Sequence, residues 1–259
     1  MLAKKLIFHF FIPKDYETNI AIKFHCECLK LYCHEFDSAI FYISVDEDTE
    51  KYARDVRNFL FNLREWPDIR IRIIRNDIFC EARTFKEEIL DKIDGFNEEI
   101  VFFGHTKGVT NVIKYSNNVD NILKWVYACY FYSLDPLYST EAVKELIYGY
   151  RAFYGSVLMQ CPDSDNAFYA GTFYWMNPMR FRIINKDIDS YNRLSNRSLA
   201  EEYPSYFWFK GGDGYLFSHY NRYLYNTDLY NGDFSKVVEF FGDAENFMSR
   251  YNMIINKIR

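Results

Sequence analysis

The chain has 259 residues, 49% of them hydrophobic and 26% charged, which is typical of a folded globular protein and excludes a disordered one. A formal net charge of −5 disfavours general attraction to nucleic acid or to an anionic membrane surface. Six scattered cysteines are too few for a secreted disulfide scaffold, and no apolar run reaches the roughly 20 residues of a membrane-spanning helix. We therefore expect a soluble, cytoplasmic protein that neither spans a membrane nor binds nucleic acid.

The first half of the chain alternates between predicted strands and predicted helices. Apolar runs such as AIFYISV are typical of strands that are covered on both faces, and the segments between them have helical periodicity. Strands separated by helices of this length predict right-handed crossovers and a mostly parallel central sheet flanked by helices. The predicted strands are residues 5–13, 39–46, 69–76 and 98–105, and the predicted helices are residues 18–34, 49–63 and 84–93.

The pattern changes after residue 115. Because no repeat or Pro/Ser-rich linker interrupts the chain, we predict a single α/β domain over residues 1–259, with an irregular, more helical part over residues 116–259. From Ala200 onward the tail is predicted to be mostly helical, with a Gly-rich loop at 210–214. The other predicted elements are helices at 117–134 and 140–150, a strand at 151–159, and a strand within 166–178 that leads into a turn and helix.

The fourth predicted strand ends in the polar loop GHTKG, residues 104–108. In parallel α/β sheets, ligands bind in the crevice outside the carboxyl ends of the strands. Glycines allow the backbone to approach a ligand closely, Lys107 supplies a compact positive charge, and His105 donates a hydrogen bond or, when protonated, a charge. This chemistry favours phosphate binding; a plain strand-to-helix turn with a solvated lysine is the alternative. The pattern of a Walker loop is absent.

Four short motifs follow one another along the chain: VFFGHTKGVTN, KWVYACYFY, YAGTFYWMNP and AEEYP. In this order they resemble bacterial polysaccharide and lipopolysaccharide glycosyltransferases of the rhamnan-synthesis-F-like group, from the first strand to residue 205. The resemblance implies a GT-A-like nucleotide-binding fold, with residues 1–115 as the nucleotide-sugar half and residues 116–259 as the acceptor half. It also implies that the donor diphosphate is bound by His105, Thr106, Lys107 and Gly108, and by the late histidine His219, for which a helix-face histidine is the alternative.

The resemblance leaves metal dependence open. GT-A enzymes often carry Asp-x-Asp after the fourth strand to hold a divalent metal such as Mn²⁺ or Mg²⁺, whereas this chain has His105-Thr106-Lys107, whose positive charge offers another way to neutralise the diphosphate. Asp-x-Asp strings occur elsewhere, at 46–48 and 163–165, where helix capping is the favoured interpretation. Asp46 and Asp48 remain candidate metal ligands because they follow a strand's carboxyl end.

The same resemblance nominates nucleotide and acceptor contacts, each with a structural alternative. Residues after the third strand are candidates for the base and ribose, although Asp77 and Thr84 could simply end a strand and begin a helix. Residues in AGTFYWMN are candidates for the acceptor, although a tryptophan here could equally lie in a core strand, and alternation along a strand prevents all of them from facing one cleft. The nucleotide candidates are Asn76, Asp77, Glu81 and Thr84, and the acceptor candidates are Gly171, Thr172, Tyr174 and Trp175.

Two adjacent carboxylates in AEEYP are candidates for the catalytic base. An inverting transferase needs a carboxylate to take the proton from the acceptor hydroxyl. The resemblance nominates Glu201 first and Glu202 second, while surface glutamates at a helix start are the alternative. A retaining mechanism would give Glu201 a different role.

These features predict a glycosyltransferase that moves a sugar from a nucleotide-sugar donor to a glycan or lipid-linked acceptor in surface polysaccharide synthesis, at the inner face of the membrane. The amphipathic tail 245–259 either makes a peripheral membrane contact or closes the domain as a helix. A non-catalytic nucleotide- or carbohydrate-binding relative is the first alternative. A phosphoryl-transfer or hydrolytic enzyme that uses Asp46 and Asp48 with a metal is the second.

Overall fold

The architecture was derived from a computed structural model, which describes residues 2–96, 98–149, 151–155, 157–160, 167–180, 199–204, 216–217, 220–222 and 234–259. Its centre is a seven-stranded sheet in the order β3-β2-β1-β4-β8-β5-β9. The first four strands are mutually parallel, and β8 is antiparallel to both of its neighbours. The strands are β1 (Ala3–Phe11), β2 (Ser38–Val45), β3 (Asp68–Arg75), β4 (Glu99–His105), β5 (Phe153–Tyr154), β8 (Tyr174–Met176) and β9 (Leu216–Phe217).

Helices cover the sheet, and local sequence explains several of their ends. The Asn19 side chain caps the first helix by accepting from the Ile22 amide, and Asp135 caps another that has Pro136 at its first position. A π-helical turn, Lys86–Leu90, extends the short third helix. The helices are α1 (Ile20–Tyr32), α2 (Ala53–Phe61), α3 (Glu81–Phe85), α4 (Asn111–Lys114), α5 (Val119–Leu134), α6 (Pro136–Ile147), α7 (Leu199–Glu202), α8 (Phe234–Phe241) and α9 (Ala244–Ile258).

The two faces of β1 belong to two hydrophobic clusters. Leu6, Phe8 and Phe10 face the larger cluster, which includes α1, α5 and α9, whereas Ile7 faces the smaller one, which includes α3 and α7. This alternation follows from the two-residue period of a strand. The prediction of strands that are buried on both faces is therefore confirmed for β1, β2 and β4, but β3 is an edge strand with many exposed side chains.

The tail closes the domain. The apolar side of α9, which includes Phe247, Tyr251 and Ile254, is buried in the larger cluster, as one of the two interpretations of the tail predicts. None of the described helices is long and apolar enough to cross a membrane.

The sequence correctly predicts an α/β fold with a mostly parallel sheet, but two predicted strands are wrong. Residues 151–159 form β5 and part of β6 (Val157–Gln160), which belong to different sheets. The second prediction fails at Gly171 and Thr172, whose φ values of 76° and 57° turn the chain between β7 (Ala167–Tyr169) and β8. β6 lies between β7 and β10 (Tyr220–Arg222) in a three-stranded sheet.

Helix boundaries also differ from the predictions. The helix predicted at 84–93 begins at Glu81 and continues as the π-helical turn, and the one predicted at 140–150 begins at Pro136. The described part of the predicted helical tail contains two short strands besides its helices. The predicted Gly-rich loop at 210–214 lies outside the described residues.

Trp175 offers a direct test of the core. Its ring is fully buried and packs against Phe36 and Phe102, at centroid distances of 5.4 and 5.1 Å, and its indole N–H donates to the Ser133 carbonyl at 2.8 Å. Trp175→Ala is expected to lower the free energy of unfolding in urea by about 3–5 kcal/mol, because it leaves a cavity. Phe61→Ala on the exposed face of α2 should change it by less than about 0.5 kcal/mol. Equal small losses in both variants would contradict this packing.

Candidate functional site

A polar cavity of about 400 Å³ lies at the carboxyl ends of the parallel strands. Its wall is formed by the end of β1, the loop that follows β4, Asn76 after β3, the start of α3, and one side chain of α7. This is the edge of a parallel sheet at which α/β proteins bind ligands. A cavity therefore lies where the sequence predicts the site. Its wall includes five of the predicted residues: His105, Thr106, Lys107, Gly108 and Glu201.

A second cavity, of about 340 Å³, lies at the opposite end of the strands. Two ion pairs lie in its wall: Lys5 is 2.5 Å from Glu99, and Lys92 pairs with the buried Glu88. Because parallel α/β sheets bind ligands at the carboxyl ends of their strands, we regard the cavity at those ends as the functional candidate.

The loop after β4 is tied to the end of β1. The Thr106 amide donates to the His9 carbonyl at 3.0 Å, and the Thr106 hydroxyl accepts from the Phe11 amide at 2.9 Å. Thr106 is almost fully buried, so its hydroxyl serves the backbone of β1. Gly108 has φ +85°, and a Cβ there would lie 3.1 Å from methyl groups of Ile122 and Val126 on α5, so glycine is required for this close approach.

Lys107 and Glu201 form an ion pair across the cavity. The Lys107 ammonium lies 3.0 Å from a carboxylate oxygen of Glu201, and the two side chains are 14% and 22% exposed. Burial acts to raise the pKa of the Glu201 carboxyl, but the charge and hydrogen bond of Lys107, together with His105, outweigh it and lower the pKa below 4.5. The Thr172 hydroxyl acts in the same direction, although among the described residues it makes no hydrogen bond of good geometry.

His105 and Glu81 occupy the wall of the cavity near this pair. The His105 Nδ1 atom is 3.6 Å from a carboxylate oxygen of Glu81, and both side chains are about nine-tenths buried. Cys80, immediately before α3, has a left-handed φ of 45° and also lines the cavity. The residues that line the cavity therefore include two glutamates, a lysine and two histidines, His9 and His105, a set suited to polar, charged ligands and to proton transfer.

Of the four predicted nucleotide contacts, Asn76 and Glu81 line the cavity and Asp77 and Thr84 do not. One carboxylate oxygen of Asp77 accepts from the Phe79 and Cys80 amides, and the other pairs with Arg83. The buried Thr84 hydroxyl is bonded to His9 Nδ1 at 2.8 Å. Asp77 thus holds the connection between β3 and α3, as the structural alternative predicts, whereas Thr84 lies within α3 and ties it to β1. The Asn76 side chain bonds to Ser44 and Asp46.

The predicted acceptor contacts divide in the same way. The structure buries Tyr174 and Trp175 fully in the core: the Tyr174 hydroxyl donates to the Ala200 carbonyl at 2.7 Å, and the Trp175 ring is covered by aromatic neighbours. Neither ring faces the cavity, because tertiary packing covers both faces of β8. Gly171 lies beside the cavity, since a Cβ there would be 3.8 Å from the Lys107 side chain, and Thr172 adjoins Glu201.

The candidate metal ligands do not converge on the cavity. An Asp46 carboxylate oxygen accepts from the side-chain amide of Asn76 at 3.2 Å, and Asp48 forms an exposed ion pair with Lys14 at 3.0 Å. Within the part of the chain that the structure describes, no group of three or more His, Cys, Asp and Glu side chains is arranged to hold a metal ion. His219 and the string at 163–165 lie outside the described residues, as does the side chain of Glu202 at the end of α7.

Sequence reasoning missed three buried polar residues: His9, which lines the cavity, and Asn19 and His25, which lie behind the loop. The side-chain amide of Asn19 donates to the Val109 carbonyl at 2.9 Å, and His25 Nε2 lies 2.7 Å from the Lys107 carbonyl. The helical period puts His25 beside Phe24 and Cys28 on the buried face of α1, and that position was the only available signal of a buried polar contact.

No protein-family model matches this chain, and no curated protein matches it. The fold and the cavity define an α/β protein with a Rossmann-like, mostly parallel sheet and a charged site at the carboxyl ends of its strands.

The ion pair predicts how Glu201 titrates. In the unaltered protein its carboxyl pKa should lie below 4.5, so its stabilising effect is complete above pH 4.5 and is lost as the pH falls through the lowered value. In Lys107→Met, burial should dominate and raise the pKa above 4.5. Carboxyl-carbon NMR titration measures both values, with Lys14→Met as the control lysine in an exposed pair. An equal Glu201 pKa in all three proteins would contradict the ion pair.

Proposed function

We propose that this protein is a glycosyltransferase that binds a nucleotide-sugar donor in the cavity at the carboxyl ends of the strands. The observation that carries the proposal is the 3.0 Å ion pair between Lys107 and Glu201. These residues belong to two motifs that lie 94 positions apart in the chain and that both contribute to the resemblance described above. A cation that can bind a diphosphate and a carboxylate that can take the proton of an acceptor hydroxyl thus line the same cavity. We assign the fold to the GT-A type as part of the same proposal.

The donor diphosphate would bind to Lys107 and His105. A diphosphate carries more negative charge than one carboxylate, so it competes with Glu201 for the Lys107 ammonium. The low exposure of the pair strengthens every charge interaction in the cavity. Because Asp46 and Asp48 are engaged elsewhere, we derive no step through a metal at those residues.

Glu201 would then act as the general base. While Lys107 is paired with it, its pKa is lowered and the carboxylate is a weak base. When Lys107 turns to the diphosphate, burial raises the pKa and the carboxylate becomes better able to take the acceptor proton. Donor binding thus prepares the base for an inverting transfer. A glycan or lipid-linked acceptor in surface polysaccharide synthesis, met at the inner face of the membrane, follows from the resemblance alone.

A binding protein without catalysis is the second candidate. It is favoured by the structural use of two predicted nucleotide contacts, since Asp77 and Thr84 are bonded within the fold. The two functions differ in turnover, because the second predicts ligand binding with no transfer of the sugar.

Nucleotide binding is tested by thermal shift with UDP, GDP, CMP and dTDP, each with and without Mn²⁺. A nucleotide at 100 times its Kd should stabilise the protein by about 2.7 kcal/mol. Lys107→Met should weaken this binding at least about tenfold, because it removes a charge-assisted contact, whereas the exposed control Lys14→Met should not. Absence of any shift, or equal shifts in both variants, would contradict the proposal. A shift that requires Mn²⁺ would add a metal to the donor complex.

Catalysis is tested by Glu201→Gln. This variant should bind the nucleotide as tightly as the unaltered protein or more tightly, because it removes a competing carboxylate, while turnover of the nucleotide sugar should fall about 10²–10⁴-fold. Glu50→Gln is the control, since Glu50 is an exposed glutamate that pairs with Arg75 and does not line the cavity. Unchanged turnover in Glu201→Gln would refute the assignment of the base. Tight binding without turnover in the unaltered protein would favour the binding protein.

A further inference from the structure

Helix α1 and its N-cap residue support the loop after β4 from behind through two side chains. From within the helix, His25 contacts the Lys107 carbonyl at 2.7 Å, and from its N-cap, Asn19 contacts the Val109 carbonyl at 2.9 Å. Both side chains are buried, with exposures of 0% and 2%. Two alternate carbonyls of the loop are therefore held by one rigid helix, in a region that excludes water as a substitute partner.

The hydrogen bonds of His25 fix its tautomer. A carbonyl oxygen only accepts, so Nε2 carries the proton and donates to Lys107. Nδ1 is therefore an acceptor, and it receives the Tyr130 hydroxyl of α5 at 2.8 Å. Burial lowers the pKa of His25 to about 3, so the ring is neutral at neutral pH. The hydrogen bonds therefore run in one direction: Tyr130 donates to His25, and His25 donates to the Lys107 carbonyl. They join α5, α1 and the loop.

The loop is restrained on its other sides by packing. A Cβ at Gly108 would be tight against α5, 3.1 Å from its methyl groups, and a Cβ at Gly171 would lie 3.8 Å from the Lys107 side chain. These contacts limit where the loop can lie. The Lys107 amide donates to the His105 carbonyl at 2.8 Å, and the bond from His25 holds the carbonyl of Lys107 itself. The direction of the Lys107 side chain toward Glu201 depends on both restraints.

We propose that His25 is a positioning residue, which sets the Lys107 ammonium opposite Glu201 by holding the Lys107 carbonyl. The proposal rests on the proposed function for its consequence in nucleotide binding, but the positioning itself is a property of the protein without ligand. Asn19 contributes to the same support, yet it also caps α1, so His25 gives the cleaner experiment.

Two amide variants separate the hydrogen bond from the bulk of the ring. The Gln amide reaches the place of Nε2 and retains the donor to Lys107, whereas the shorter Asn amide reaches only the place of Nδ1. His25→Gln should therefore behave like the unaltered protein, and His25→Asn should release the loop. Should His25→Asn fail to fold, His25→Met fills the volume without a donor. Tyr32→Phe is the matched control, because it removes another buried contact between α1 and α5, at Tyr127.

The readout without ligand is the rate at which a small amine-acylating reagent modifies Lys107, followed by peptide mass spectrometry. The ion pair engages the Lys107 ammonium and hinders its reaction, so Glu201→Gln should accelerate labelling and show that the assay senses the pair. His25→Asn should accelerate it several-fold, while His25→Gln and Tyr32→Phe should not. Labelling of folded His25→Asn or His25→Met at the unaltered rate overturns the proposal.

The readout with ligand is the Kd of the nucleotide found by thermal shift. His25→Asn should raise it at least about tenfold through displacement of Lys107, and His25→Gln should restore it. In a Lys107→Met background, His25→Asn should have no further effect, because its influence passes through Lys107. An additive loss in that background overturns the proposal. Faster labelling of His25→Asn in a protein that binds no nucleotide supports the positioning role and refutes only the proposed function.

Discussion

The parallel pairing of β1 with β2 on one side and β4 on the other is the constraint on which the rest of the structure depends. Seven residue pairs join β1 to each neighbour, and the register sets His9 beside His105 at the carboxyl end of the sheet. Because the period of a strand is two, the same register directs Phe8 and Phe10 toward α1 and α5, and Ile7 toward α3. The loop after β4 must therefore emerge between two apolar layers, where its backbone needs protein partners.

Those partners explain why the site is built from buried polar groups. Thr106 bonds to the backbone of β1, and two side chains of α1 hold the next carbonyls. With the loop backbone satisfied in this way, Lys107 directs its charge at Glu201 across the cavity. Removing either charge would leave the other partly buried and unpaired, which is unfavourable. A ligand that offered Lys107 a stronger anionic partner would raise the pKa of Glu201 by removing the contact that lowers it.

Features that depend on local sequence pattern, such as the parallel strands and the loop at their carboxyl ends, could be predicted from the sequence. Apolar runs identified the parallel strands, and the rule for carboxyl ends located His105 and Lys107 in the cavity wall. The motif resemblance nominated Glu201, which lies 3.0 Å from Lys107. What failed depends on contacts between distant segments. Trp175 and Tyr174 lie in a strand whose two faces are both covered, and the left-handed turn at Gly171 splits a run that reads as one strand. His25 acts on a carbonyl 82 residues away, a contact that no local periodicity encodes.

The central claim is that the charged cavity at the carboxyl ends of the strands is a nucleotide-sugar site. A crystal structure of the protein with the nucleoside diphosphate that stabilises it most would test this claim most directly. We predict a phosphate oxygen at about 2.7–3.2 Å from the Lys107 ammonium, with the Glu201 carboxylate released from the ion pair and facing the acceptor side. A nucleotide bound elsewhere, for example between Lys5 and Lys92 at the opposite end of the sheet, with the Lys107–Glu201 pair intact, would contradict it.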